Sequence, residues 1–500
     1  MKVEIMTSIK KQSILSTIYS YLGVGIGLLS QGFILPNYFE SNEIGLMAIL
    51  LSWMYLIAQF ASLGFNHAGT KYFSFFRNSS PKNLGYLNLG LKTQAIGFLL
   101  SVVFLFLFKD QIISNQNIQD KALLDKFFKL IIPITLATML FNLFDNYAKG
   151  LYNTVAGNLY SQFFQRLFTL LSALLYVFDF VDFEGFMYLW VVGLALPTAL
   201  MIYSAVNLGP LNFQKNIHFF QSKIKKEFYV FAAFSVLTGL SSMIILQLDK
   251  IMVNSYLGLS STGIYSTCLL FSSVMGMGYL SVIKASSAVV INAMEENEYG
   301  IVETIYKKSS INLYAFGLLT LLCTWINIDQ LFGLVKPEYA LGKTALLIIG
   351  VSKLFDLLNG INGLILSNSK YYKLDSLLII SFVLILFLLN KYLIPMYGIN
   401  GAAVAALISV VYYNLARTIL IWKYFQLQPF GWEQLASTLI FGVILFWGFQ
   451  WPDLDFKVLS ILYKSVCATL LFSVFIYFSK SVPDFNAFIH FGIQKLAKWL

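Results

Sequence analysis

Gln247-Leu248-Asp249-Lys250-Ile251-Met252-Val253-Asn254-Ser255-Tyr256-Leu257-Gly258-Leu259-Ser260-Ser261-Thr262-Gly263-Ile264 decides how this chain reads. Its first half sets an acid and a base late in an apolar run. Its second half is a turn signal that ends the run. The turn recurs, because Tyr38-Phe39-Glu40-Ser41-Asn42-Glu43-Ile44-Gly45-Leu46 matches Tyr256 to Ile264 at a shift of about 218 residues. Leu151-Tyr152-Asn153-Thr154 matches Leu366-Ser367-Asn368-Ser369 at about 215, and Gly185 stands to Gly401 at about 216. Each match alone is weak. The near-constant shift makes them an internal repeat.

Outward from that junction the chain is a series of apolar runs. Hydrophobic residues make up 58% and charged residues 12% of its 500 positions. A soluble chain carries about 25% charge, so these residues cannot clothe a water-facing surface, and lipid is the solvent that fits. A membrane helix needs about 20 mostly apolar residues, and about fourteen such runs occur. Six precede a polar, basic stretch at 212–227 and eight follow it. The expected fold is therefore an all-α polytopic membrane protein of about fourteen transmembrane helices. It comprises two pseudo-symmetric six-helix lobes, 1–211 and 228–425, joined by a cytoplasmic linker at 212–227. Two extra C-terminal helices occupy 426–482. Six spans per repeat is an even number, so the halves run parallel, an arrangement that places substrate between them in many transporters. The tail 483–500 sets Phe485, Phe488, Ile489, Ile493, Leu496 and Trp499 at helical spacing with Lys495 and Lys498 between, as an interfacial helix would.

Charge orients the spans. With the N-terminus inside, the inner segments hold about 23 of the 34 Lys and Arg residues, whereas the inverted topology reverses the bias, so both termini are expected in the cytoplasm. The net charge of +10 thus reads as topogenic, not as a nucleic-acid footprint. Lys10 and Lys11 precede a first apolar run too long for a signal peptide and followed by no small-residue cleavage site. Cys268, Cys323 and Cys467 are isolated in apolar stretches, which argues against a disulfide framework or a metal site. No metal triad, nucleophile constellation or phosphate-binding glycine loop occurs, and no cofactor is expected.

Four stretches resemble the polysaccharide-export and O-antigen flippase branch of the multidrug/oligosaccharidyl-lipid/polysaccharide exporter superfamily. They are Phe33-Ile34-Leu35-Pro36 with Glu43-Ile44-Gly45-Leu46; Leu63-Gly64 with Lys71-Tyr72-Phe73; Gln247 to Val253 running into Tyr256-Leu257-Gly258 and Thr262 to Ser266; and Leu393-Ile394-Pro395-Met396-Tyr397-Gly398-Ile399-Asn400-Gly401-Ala402-Ala403. The likeness spans nearly the whole chain, and the last two stretches are its most specific part. It implies two six-helix lobes around a cavity and alternating access in a bacterial inner membrane. The implied cargo is an undecaprenyl-diphosphate-linked oligosaccharide moved to the outer leaflet, with coupling to H+ or Na+ in some members. Two other readings stand beside it: a cation-coupled multidrug exporter of the same superfamily, and a membrane glycosyltransferase or polymerase. The first would want a carboxylate in the first span, which has none before Glu40. The second would want larger outer loops than the roughly 20 residues at 109–129.

Ionisable residues at membrane depth are costly and usually face a cavity or one another. Arg166 lies in the apolar run Phe163 to Leu170 and suits a diphosphate, because guanidinium binds phosphate oxygens in a bidentate way. Lys71, Lys250, Lys284 and Arg417 are further cations that could line a substrate cavity. For Arg166, Lys71, Lys284 and Arg417 the structural alternative is a cation that snorkels to lipid phosphates. Asp249, Asp356 and Asp145 are the carboxylates placed to sense a coupling ion. Asp249 and Lys250 are adjacent, point about 100° apart on a helix, and could instead take separate partners in inter-helix salt bridges. Lys353 with Asp356, and Asp145 with Lys149, have i,i+3 and i,i+4 spacing and could neutralise one another as intramembrane pairs.

Overall fold

In a computed structural model, residues 2–77, 85–113, 118–208, 223–487 and 489 are described. They are helical almost throughout, and no strand occurs among them. Among the described residues, nine helical stretches are long and apolar enough to cross a membrane. Large apolar side chains such as Leu107, Phe180 and Phe234 point outward, the burial pattern of a chain whose solvent is lipid. Most of the expected linker, 212–222, and the tail at 488 and 490–500 lie outside the described residues. Residues 483–487 are helical.

The packing divides into two units, Met1–Gly263 and Ile264–Leu500. In the first, helix Lys2–Gly27 passes through a π-helical turn, Leu28–Ile34, into Leu35–Tyr38. Pro36 follows the π-helical turn directly, so the change from π- to α-helical bonding falls where an N–H is missing. The chain then reverses and helix Ser41–Ala61 begins on a capping box. Glu40 accepts from the third residue's amide, and Glu43 accepts from the Glu40 amide at 2.9 Å. Helices Tyr86–Ile113, Ile131–Gly150 and Phe183–Asn207 follow, with 155–177 between the last two. That segment runs Val155–Asn158, a second π-helical stretch Leu159–Phe164, then Gln165–Val177. Asp182 caps Phe183–Asn207, accepting from Gly185 N at 2.8 Å.

The opening stretch of sequence behaves as its repeat suggested. Helix Ile224–Ser273 breaks at Gly258, whose φ of 85° and ψ of −178° only glycine adopts readily. A second long helix, outside that match, breaks in the same way. Helix Tyr372–Phe425 turns at Gly398, with φ 60°, three residues beyond Pro395. Within the first unit the turns of the first and seventh spans lie against each other. A Cβ on Gly45 would strike the Leu259 carbonyl, and a Cβ on Gly263 would strike that of Ser41. The Ser41 and Ser260 hydroxyls bond across the same junction. From helix Ile118–Phe127, Asp120 accepts from Leu259 N at 3.0 Å, so a side chain from elsewhere in the unit satisfies an amide left open at the break.

The packing boundary falls later than the boundary expected from the repeat. Residues 224–263 lie on the first six spans: Gly64 backs onto the Ala232 carbonyl, Gly239 onto Gln59, and Ser52 donates to Gln247 at 3.0 Å. The seventh span therefore packs with the first unit. The second unit contains Met277–Glu295, Tyr299–Ile326, Lys343–Leu358, Asn362–Ser367, the broken helix Tyr372–Phe425, Trp432–Gly448 and Lys457–Ser479. The last two are packed on Tyr299–Ile326 through Ile326, Ile444, Ala468 and Phe472.

Candidate functional site

Inside the first unit the helices leave a cavity of about 500 Å³. Three polar faces meet there. The π-helical turn of the first span contributes Gln31, and helix Ile131–Gly150 contributes Thr138, Asn142, Asp145 and Lys149, spaced three or four residues apart. The segment 155–177 contributes Asn158, Ser161, Gln162, Gln165, Arg166 and Thr169. Tyr55, Phe141 and Trp190 supply aromatic walls. Both π-helical stretches border the cavity. A π-helical turn adds a residue without ending the helix, and such turns are frequent at functional sites.

Arg166 reaches the cavity because two glycines let the first span approach. A Cβ on Gly23 would collide with the Gln162 carbonyl. A Cβ on Gly27 would lie 3.2 Å from Arg166 Cδ and 3.3 Å from its terminal nitrogen. The guanidinium donates to Gln162 Oε1 at 3.3 Å and forms no ion pair among the described residues. One helix away, Lys149 Nζ stands 2.5 Å from Asp145 Oδ2. The other carboxylate oxygen of Asp145 is buried without a hydrogen-bond partner, held over Gly157, where a side chain would displace it. The charged lining is thus two cations against one carboxylate. The carboxamides of Gln31, Asn142 and Gln165 make no hydrogen bond among the described residues, leaving donors and acceptors open to the cavity.

The other sequence candidates lie elsewhere. Lys71 is exposed, its ammonium 4.0 Å from the centre of the Phe231 ring. Asp249 and Lys250 are half-buried in the seventh span and do not line the cavity. Lys284 is exposed on Met277–Glu295. In the second unit Arg417 is neutralised in place. It donates to both Asp375 oxygens, at 2.7 and 3.0 Å, and stacks 4.0 Å over Tyr413. The expected Lys353–Asp356 pair does not form. Asp356 instead accepts from Asn414 Nδ2 at 3.0 Å, and Asn414 accepts from Asn362 at 2.8 Å. An i,i+3 spacing brings Cβ atoms to one face, but here the carboxylate turns toward the amide of a neighbouring helix. Gln31 was visible in sequence as a residue that could line a cavity, but Asn142, Asn158, Gln162 and Gln165 were missed, although Asn158, Gln162, Gln165 and Thr169 recur every three to four residues. That stripe is the signal that marks a wet helix face in an apolar span.

No protein-family model matches the chain, and no curated protein matches it. Solved structures do. The chain is similar to the lipid II flippase MurJ in an inward closed conformation, with a TM-score of 0.75 at 15% identity over 93% of this chain and 99% of that one. It is similar to an inward-facing multidrug resistance MATE family transporter of the MOP superfamily, TM-score 0.59 at 12% identity over 81% and 93%. A MOP superfamily transporter from Pyrococcus furiosus gives 0.56 at 13% identity over 82% and 95%. At such identities the likeness is one of fold, and the chain has the all-helical fold of MOP superfamily transporters.

Proposed function

We propose that this protein is a flippase that carries a lipid-linked oligosaccharide on a polyprenyl diphosphate from the cytoplasmic to the outer leaflet of a bacterial inner membrane. It works by alternating access, with fourteen spans and both termini in the cytoplasm. Support for that count lies in the helices themselves: two of the nine long apolar stretches each carry a break, at Gly258 and Gly398, and the broken segments 155–177 and 343–367 and the shorter Trp432–Gly448 complete spans that length alone passes over. The observation that carries the cargo is Arg166. A guanidinium at membrane depth without a carboxylate is costly unless an anion visits it. A diphosphate suits it in charge and in bidentate geometry. The excess of cations in the cavity disfavours the cationic compounds that a drug exporter handles.

The second reading concerns coupling. Asp145 has one oxygen without a partner and the other on Lys149, so a proton or cation taken up there would release Lys149 toward the same anion. Arg166→Ala, present at the normal level, is expected to reduce surface glycan and to accumulate lipid-linked repeat units on the inner leaflet, read by mass spectrometry of extracted lipids. Arg166→Lys keeps the charge but not the fork and is expected to restore export only in part. Unchanged export in Arg166→Ala removes Arg166 from transport and with it the case for this cargo.

A further inference from the structure

The cavity holds more polar capacity than a diphosphate needs. Resting on the reading above, we infer that the first unit contains a saccharide subsite, in which Gln31, Asn142 and Gln165 read the hydroxyls of the sugar next to the diphosphate while Arg166 holds the phosphate.

The chemistry of the lining separates this ligand from others. Each of the three carboxamides is open to the cavity, and each offers donors and an acceptor. A sugar hydroxyl also donates and accepts, so a ring of hydroxyls satisfies amides of either orientation. An acyl or prenyl tail would leave all three unsatisfied, at a cost of about 1–3 kcal/mol for each buried polar group. The amides come from three separate segments: the turn Leu28–Ile34, helix Ile131–Gly150 and helix Gln165–Val177. They surround the space instead of lining one stripe. Tyr55, partly exposed, offers an aromatic face to the apolar C–H side of a pyranose. Gln165 precedes Arg166 in the chain, so phosphate and sugar contacts belong to one turn of helix. The volume of about 500 Å³ lies within the range of roughly 300–1,000 Å³ for small-ligand sites. It suits a diphosphate with its first sugar or two, and the distal part of a longer glycan must lie outside it.

The test uses the full-length protein in nanodiscs. The probes are farnesyl diphosphate, and farnesyl diphosphate bearing one N-acetylglucosamine, N-acetylgalactosamine, glucose or galactose. The wild type is expected to bind at least one glycosylated probe about tenfold more tightly than the bare diphosphate. Asn142→Leu and Gln165→Met, which keep size and remove hydrogen bonding, are expected to abolish that preference with bare-diphosphate affinity unchanged. Retained bare-diphosphate binding also establishes that each variant is folded. Arg166→Ala is expected to weaken both kinds of probe. A wild type that binds bare diphosphate but prefers no sugar overturns the saccharide subsite and leaves the flippase reading intact. Amide variants that weaken both probes equally overturn it as well. Failure of the wild type to bind any probe overturns both the subsite and the reading on which it rests.

Discussion

At the scale of single residues, two arginines at membrane depth show how partners decide role. Arg417 is fully engaged by Asp375 and Tyr413, and Arg166 by one neutral amide. Removing one member of a buried pair strands the other, a loss of about 3–5 kcal/mol, whereas removing both is often close to neutral. Arg417→Ala is therefore expected to lower the amount of folded protein, and Arg417→Leu with Asp375→Leu to recover much of it, read by the thermal midpoint of purified protein. If the double change is as unstable as the single one, the pair does more than neutralise itself. Both arginines were visible in sequence as cations in apolar runs. What separates them was not, since the Arg417 partner lies 42 residues away and the room for Arg166 is made by Gly27.

At the scale of elements, breaks and caps set where spans end. Gly258 and Gly398 interrupt long helices in backbone conformations that a side chain resists. Such a conformation costs of order 1–3 kcal/mol for a residue other than glycine. Gly258→Ala and Gly398→Ala are each expected to destabilise by about that amount, measured as a fall in thermal midpoint, while Gly442→Ala, with open space around it, is expected to be silent. Both breaks were legible from the turn residues around them, because turn chemistry is local. The π-helical stretches at Leu28–Ile34 and Leu159–Phe164 were not. No residue type demands a π turn. It arises where packing of the first span on the fifth, through Gly23, requires a shift of register.

At the scale of the whole molecule, the two packing units differ in chemistry. The first unit leaves polar groups open to a cavity. In the second, Asn414 is bonded to both Asp356 and Asn362, and Arg417 to Asp375. The orientation of the whole also has a direct check. With both termini inside, a membrane-impermeant maleimide is expected to label Asp110→Cys in intact cells and Glu298→Cys only after permeabilisation, in a background lacking Cys268, Cys323 and Cys467. The reverse pattern inverts the topology. The all-helical, multi-pass membrane character could be read along the chain, and so could the turns at Gly258 and Gly398. Transfer to lipid depends on runs of about 20 residues, and a turn on a few neighbours. Which cation keeps its charge open to a ligand, and which amides surround it, depended on helices far apart in the chain. A buried ion is neutralised by whichever carboxylate packing brings within reach, and no local pattern carries that information.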